Sequence, residues 1–361
     1  MSSVTAAPSL PRDDAIDLAR AVAILGMFVI HAVLALATSV PNYGLPGFIL
    51  WWCDGRAAAT FVTLAGFGMA RLASRSDGAS TATLRKRALV LWTMGVINLV
   101  VWPGDILRVY GVALLLAPLI LRWSVRTRVW VSVALGVAFR LLMLVFDWAK
   151  HWQLDTLTYV GVWTVDGFVR NLLFDGFRPV VPWLAFFVMG TVLAEQHLRD
   201  TQVHRWLLRV GVLTTLSSLG LSVALDRLLG QLAPQVDALT REGLVGTTSL
   251  PPLPLFLLSA VGTTSLVLGS AFMLVPHAPR WVVEPLVATG RRAITWYVLH
   301  VALPVTLYSL AWRNSRTPAE AIAIGLAIFS AAVCWSFWRR TEPGLFESLV
   351  RRFTRTRFSI A

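Results

Sequence analysis

Three ionisable residues stand in a run that is otherwise apolar. In "AIDLARAVAILGMFVIHAV", Ala15 to Val33, Asp17 and Arg20 lie near one end and His31 toward the other. A charge at the centre of a spanning helix costs about 2.5 to 3.5 kcal/mol on insertion scales, so each such group needs a partner, water or a task. Asp17 and Arg20 are three apart and can pair on one helix face. Arg20 and His31 are eleven apart, about three turns, which puts them on the same face roughly 16 Å apart along the axis. Asp17, Arg20, Ile24, Met27 and His31 thus form one stripe, expected to line a cavity running from one membrane surface toward the middle. An imidazole there suits proton transfer, because its usual pKa of about 6.5 lets it take and return a proton at neutral pH. The same spacing also fits a plainer arrangement, with Arg20 as a headgroup anchor paired to Asp17 and His31 as a hydrogen-bonded packing residue.

Four other stretches place polar groups in or beside apolar runs. "CDGRAAATFVTLAGFGMARL" opens on Asp54 and Arg56 and carries Gly66 and Gly68, which leave room for close helix packing. Asp54 is placed either to face a substrate or to cap the helix. In "WPGDILRVYG" a Pro-Gly turn leads to Asp105, a helix-capping residue by position, with Arg108 and Tyr110 able to face the same vestibule. "FRPVVPWLAFFVMG" places Pro179 and Pro182 at the start of a span, where they break or kink the helix. Arg178 and Trp183 beside them either face a substrate or belong to an ordinary kinked entrance. In "EPLVATGRRAITWYVLHVALP", Arg291 and Arg292 begin a helix and His300 follows about two turns inside. Adjacent arginines suit the phosphates of a nucleotide-bearing donor such as coenzyme A, and they equally suit a cytoplasmic helix end. The other histidines, His151, His197, His204 and His277, fall in or beside loops where exposure explains them. Cys53 and Cys334 sit in different runs without ligand spacing, so neither a disulfide framework nor a metal site is expected.

The elements that must carry these groups are membrane helices. Of 361 residues, 56% are hydrophobic and only 14% charged, where a soluble domain carries about 25% charged residues. Apolar runs long enough for a hydrocarbon core of about 30 Å recur along the chain. The expected fold is an all-α, polytopic bundle with spans at 16–40, 48–71, 88–101, 105–121, 129–146, 180–196, 208–225, 254–275, 286–311 and 319–338. Residues 1–15 and 339–361 form polar tails around one transmembrane domain, 16–338. The N-terminal "MSSVTAAPSLPRDD" lacks a cleavable leader pattern, so the first helix is expected to stay. The net charge of +13 comes mostly from Lys and Arg in alternate loops. That pattern predicts cytoplasmic termini and anionic headgroups as partners rather than nucleic acid. Residues 147–178 mix aromatics with charges and read as an interfacial helix or a linker anchored at the membrane surface.

"IDLARAVAILGMFVIH" resembles the opening helix of bacterial transmembrane acyltransferases that O-acetylate surface sugars and peptidoglycan, with Asp17, Arg20 and His31 on that helix's recurring positions. "TGRRAITWYVLHVALP" is similar to their late helix. "DGRAAATFVTLAGFG", "WPGDILRVYGVALLL" and "RPVVPWLAFFVMG", with the late helix, are similar to bacterial inner-membrane proteins of domain of unknown function 418. Both groups look related to heparan-alpha-glucosaminide N-acetyltransferase. Ala21 replaces the glycine that usually follows the arginine, and His31 stands where the unknown-function relatives commonly carry asparagine. The resemblance implies an inner-membrane enzyme that moves an acyl group, acetyl foremost, from acyl-CoA to a hydroxyl or amine of a sugar, envelope component or metabolite, without a metal. It implies His31 as general base or acyl carrier, Asp17 orienting Arg20, and Arg20, Arg291 and Arg292 on the donor's phosphates. His300 would support the base or hold the oxyanion, and Asp54, Arg56, Asp105, Arg178 and Trp183 would face the acceptor. A homodimer is compatible with this reading. The alternative is a multi-pass transporter using the same buried ions as a proton-coupled pathway.

Overall fold

A computed structural model describes residues 13–40, 43–74, 81–154, 156–198, 200–303 and 315–354. Helices hold 76% of the structure, and strands are confined to one short pair among the described residues. In chain order the helices are α1 (Asp14–Leu36), α2 (Gly44–Cys53), α3 (Arg56–Ala73), α4 (Thr81–Leu99), α5 (Leu107–Ile120) and α6 (Val125–Val145). A short hairpin, β1 (Trp152–Gln153) with antiparallel β2 (Thr158–Tyr159), leads to α7 (Val165–Arg170), which continues as a π turn over Asn171–Asp175. Then come α8 (Val180–Leu193), α9 (Thr201–Leu232), α10 (Ala238–Val245), α11 (Pro254–Leu274), α12 (Arg280–Gly290) and α13 (Ala293–Leu303), followed by α14 (Pro318–Trp338) and α15 (Leu345–Thr354).

Five of these, α1, α6, α9, α11 and α14, are long and apolar enough to cross a membrane; α7 and its π turn with α8 make a sixth span if the pair, bent by 45°, is counted as one. Among the described residues, five or six of the ten spans expected from sequence are matched by length and composition. Two expected spans are broken. The run 48–71 divides at Asp54 and Gly55 into α2 and α3, and 286–311 divides at Arg291 and Arg292 into α12 and α13. The far part of that second run, 304–311, lies outside the described residues, as do 1–12 of the N-terminal tail and 355–361 of the C-terminal one. The run 88–101 lies within α4, and 105–121 forms the shorter α5.

Helix α1 is the post around which the others stand. It packs against α3, α11, α12, α13 and α14. In its most apolar stretch 78% of residues are buried, against 22% in α6 and in α9, whose outer faces present Val133, Leu141, Leu213 and Leu216. The ionisable groups of α1 therefore face protein rather than lipid, which removes most of their insertion cost. Close approach depends on small residues, as expected for helices in lipid. A Cβ at Gly66 would strike the Phe187 carbonyl, so α3 and α8 touch backbone to backbone. A Cβ at Gly290 would strike the Asp17 carbonyl, so the end of α12, and Arg291 after it, can lie against the start of α1.

Candidate active site

The stripe on α1 is present, and its two polar ends open onto two separate voids. At the start of α1, Asp17 is fully buried and accepts from Arg20 Nη1 at 2.6 Å and from Arg291 Nε at 3.4 Å. Arg291 Nη2 also donates to Asp14 Oδ1 at 2.8 Å, so one arginine ties the break between α12 and α13 to the first turn of α1. Asp13 caps that helix through Ala15 N at 3.0 Å. Arg20 and Arg291, with Arg87 of α4 and Arg351 of α15, border a cavity of about 350 Å³ whose depth is lined by Phe61, Leu64, Tyr110 and Phe187. Glu347 is the carboxylate among its lining residues. Cations at the mouth and an apolar interior suit a ligand with phosphates at one end and a slender uncharged arm at the other.

Arg292 points elsewhere. It is buried, donates to the carbonyl of Ala288 at 2.8 Å and to those of Arg339 and Glu342, and so holds the turn between α14 and α15. It also borders a smaller cavity of about 200 Å³ with Arg291, Arg340 and Arg351.

At the other end of the stripe His31 meets His300 of α13, with His31 Nδ1 and His300 Nε2 2.8 Å apart and the rings stacked at 17°. The backbone settles which nitrogen donates. His300 Nδ1 lies within hydrogen-bond reach of the carbonyl of Tyr297, an acceptor only, so Nδ1 carries the proton. His300 Nε2 then holds a lone pair and accepts from His31 Nδ1–H, which leaves His31 Nε2 as the unprotonated atom of a neutral pair. Trp102 packs edge-on against the His31 ring at 5.2 Å and Phe28 against His300 at 5.4 Å, fixing both planes. His31 borders a cleft of about 10 Å³, room for about one water, shared with Ile30, Cys53, Gly104, Arg178 and Tyr297.

A single layer of rings separates the two voids. Phe61 stacks on Tyr110 at 5.7 Å and 22° and on Tyr297 at 5.7 Å and 12°. Phe61 and Tyr110 line the large cavity, while Tyr297 borders the cleft at His31. The expected continuous passage along α1 is thus closed midway, because Ile24 and Met27 in the middle of the stripe are packed in the core. Tyr297 is anchored from the other side. Its hydroxyl accepts from Ile106 N at 2.8 Å and lies 3.5 Å from Asp105 Oδ1.

Asp105 does more than cap α5. It accepts from Arg108 N at 3.0 Å and from Asn98 Nδ2 at 2.9 Å, and Arg108 Nη1 donates to Asn171 Oδ1 at 3.0 Å. This buried network joins α4, α5 and the π turn behind Tyr297. Asp54 and Arg56 form a second staple. Asp54 accepts from Ser249 Oγ at 2.7 Å, and Arg56 donates to the carbonyls of Trp51 at 2.7 Å and Thr247 at 2.8 Å and to Ser259 Oγ at 2.9 Å. Arg178 lies in the break between the π turn and α8, with its guanidinium carbon 4.6 Å from the ring centres of both Phe177 and Trp183. The structure therefore brings Asp17, Arg20 and Arg291 together at one void and His31, His300 and Arg178 at the other, with Arg56 and Asp105 in the scaffold between helices.

Phe61, Trp102, Asn98, Asn171, Arg87, Glu347 and Arg351 join these sites only in the folded chain. Asn98, in an apolar run, was the one that carried a visible signal. Among the described residues no group of three His, Cys, Asp or Glu side chains is placed to hold a metal ion. The stretch 147–178 forms the small hairpin and the first limb of the bent span, with Tyr159 Oη donating to Asp175 Oδ1 at 2.6 Å.

No curated protein and no solved structure matches the chain. Residues 192–357 match a protein family of unknown function, DUF418. Residues 12–223, which hold α1, the aromatic layer's Phe61 and Tyr110, and the Arg178 break, match the family described as heparan-alpha-glucosaminide N-acetyltransferase, catalytic. That match spans more than half of the sequence, and the chain belongs to this family of membrane acetyltransferases.

Proposed function

We propose that this protein transfers an acetyl group from acetyl-CoA to a hydroxyl or amine, with His31 as the general base. The observation that carries the reading is the neutral imidazole pair, ordered by the Tyr297 carbonyl, one ring layer away from an arginine-bordered cavity. The donor enters at the face where α1 begins, which in this reading is the cytoplasmic face of a bacterial inner membrane, since loops richer in Lys and Arg stay on the cytoplasmic side. Arg20 and Arg291 meet its phosphates, with Asp17 and Asp14 holding both guanidinium groups in place. Arg292 keeps α15 against the cavity by holding the turn before it. The pantetheine arm runs along Leu64 and Phe187 to Phe61, which stacks on Tyr297, and this ring layer opens for the thioester to reach the His31 cleft. The acceptor, a sugar, envelope component or metabolite, comes from the opposite face past Trp102 and gives up its proton to His31 Nε2. His300 takes the supporting part of the two roles open to it: both its nitrogens are engaged, so it orients the base and has no N–H left for an oxyanion.

The test uses purified protein in lipid nanodiscs, measuring acetyl-CoA binding and release of the CoA thiol. His31→Ala is expected to lose about 10² to 10⁴-fold in turnover while still binding acetyl-CoA. Arg20→Ala is expected to weaken binding by about tenfold or more. Full turnover in His31→Ala overturns the reading, as does uptake of solute by reconstituted vesicles with no dependence on acetyl-CoA, which is the transporter's signature.

A further inference from the structure

With His300 fully engaged, the His31 cleft needs another donor for the charge that develops on the acyl oxygen. Arg178 borders that cleft. It is 5% exposed, and its hydrogen bond among the described residues is one, from Nη1 to the carbonyl of its neighbour Phe177 at 3.0 Å. It makes no ion pair with any described carboxylate within 4.0 Å. Asp54, the acidic group near it, is bonded to Ser249 Oγ instead. The guanidinium is held between the faces of Phe177 and Trp183, which fixes its plane, and among the described residues its remaining N–H groups have no hydrogen-bond acceptor. A buried cation so held, beside a free imidazole nitrogen, is what a thioester carbonyl requires as it becomes an oxyanion.

We infer that Arg178 is the oxyanion donor of the transfer reaction, a catalytic residue rather than a contact to the acceptor. The inference rests on the proposed acyltransfer at His31. The acceptor oxygen or nitrogen attacks the thioester carbon, and its proton passes to His31 Nε2. The carbonyl π pair moves onto oxygen, which the Arg178 N–H groups hold. When that pair returns, the carbon–sulfur bond breaks, and the departing CoA sulfur takes the proton back from His31. Arg178 stands in the break, 176–179, between two helix limbs bent by 45°, and borders the His31 cleft from there.

The experiment compares wild type, Arg178→Ala and Arg178→Lys in nanodiscs, each checked by thermal melting, for acetyl-CoA binding and for CoA release with water as acceptor. Expected are unchanged binding within about twofold, turnover down about 10² to 10³-fold in Arg178→Ala, partial recovery in Arg178→Lys, and recovery of Arg178→Ala turnover by added guanidinium chloride at non-denaturing concentration. The inference is overturned if Arg178→Ala turns over as wild type does, if binding falls as far as turnover, or if Arg178→Lys, melting as wild type does, shows no more activity than Arg178→Ala. Failure of wild type and His31→Ala to differ would instead sink the acyltransfer reading itself, so the two failures are distinct.

Discussion

The His31–His300 pair makes a quantitative prediction that depends on tautomer rather than on charge. His300→Phe keeps ring volume and the contact with Phe28 but removes the acceptor for His31 Nδ1–H. One net hydrogen bond is worth about 0.5 to 1.5 kcal/mol. At 1.36 kcal/mol per tenfold, loss of that bias lets the His31 proton move to Nε2 and cuts the competent tautomer by about twofold to about tenfold. The ring also loses one of its two planar constraints, leaving Trp102 alone, so the whole loss extends toward the general-base range of about 10² to 10⁴-fold. His300→Gln offers a side-chain oxygen that can accept from Nδ1–H, and restores part of the rate. CoA thiol release in nanodiscs measures turnover, and equilibrium binding of acetyl-CoA measured separately is expected to stay constant, because the large cavity lies beyond Phe61 and Tyr110. The expected order is wild type, then His300→Gln, then His300→Phe. Wild-type turnover in His300→Phe, or no advantage of Gln over Phe, would refute the ordering of the base by His300.

Two further outcomes follow from contacts outside the spans. Glu347 on α15 accepts from Ile294 N at 2.7 Å, Thr295 N at 3.2 Å and Thr295 Oγ1, capping the first turn of α13 from another helix. A hydrogen bond to a charged acceptor contributes about 1.5 to 3 kcal/mol. Glu347→Ala should therefore raise trypsin cleavage at Arg351 and Arg352 by about ten- to a hundredfold and loosen acetyl-CoA binding with it. Tyr159, in the hairpin, is held well above the usual tyrosine range by burial and by its hydrogen bond to Asp175. Its folded pKa is raised, so the stability it contributes is intact below the unfolded value of about 10 and is lost as pH climbs beyond it. Thermal melts above pH 10 should fall more steeply for wild type than for Tyr159→Phe, and equal slopes would contradict the assignment.

Periodicity places α1, α6, α8, α11 and α14 within about four residues at each end, because an apolar spanning helix writes its length into hydropathy; for α9 it finds only the middle 18 of 32 residues, since the polar first and last turns of that helix carry no such signal. Periodicity is not enough at Asp54–Gly55 or Arg291–Arg292. Both breaks sit inside apolar runs and are stabilised by partners far away in sequence: Ser249 for the first, Asp14 and the Arg339 carbonyl for the second. The same limit applies to the site. Spacing aligned Asp17, Arg20 and His31 on one face, since all three belong to one helix. The contact of His31 with His300 joins residues 269 positions apart, and no local pattern encodes it. Glu347 and Arg351 looked like part of a basic tail because only the folded α15 brings them over the large cavity.

The stack of Phe61, Tyr110 and Tyr297 has a bearing on the cell's energy supply. A membrane under voltage stores about 2.3 kcal/mol per elementary charge for each 100 mV, and any wetted path lined by arginine and histidine would conduct. Three rings form an insulating septum between the two voids. In the proposed transfer a group crosses from one void to the other only when a ring swings aside, so the stack would keep the two voids from joining into a conducting path.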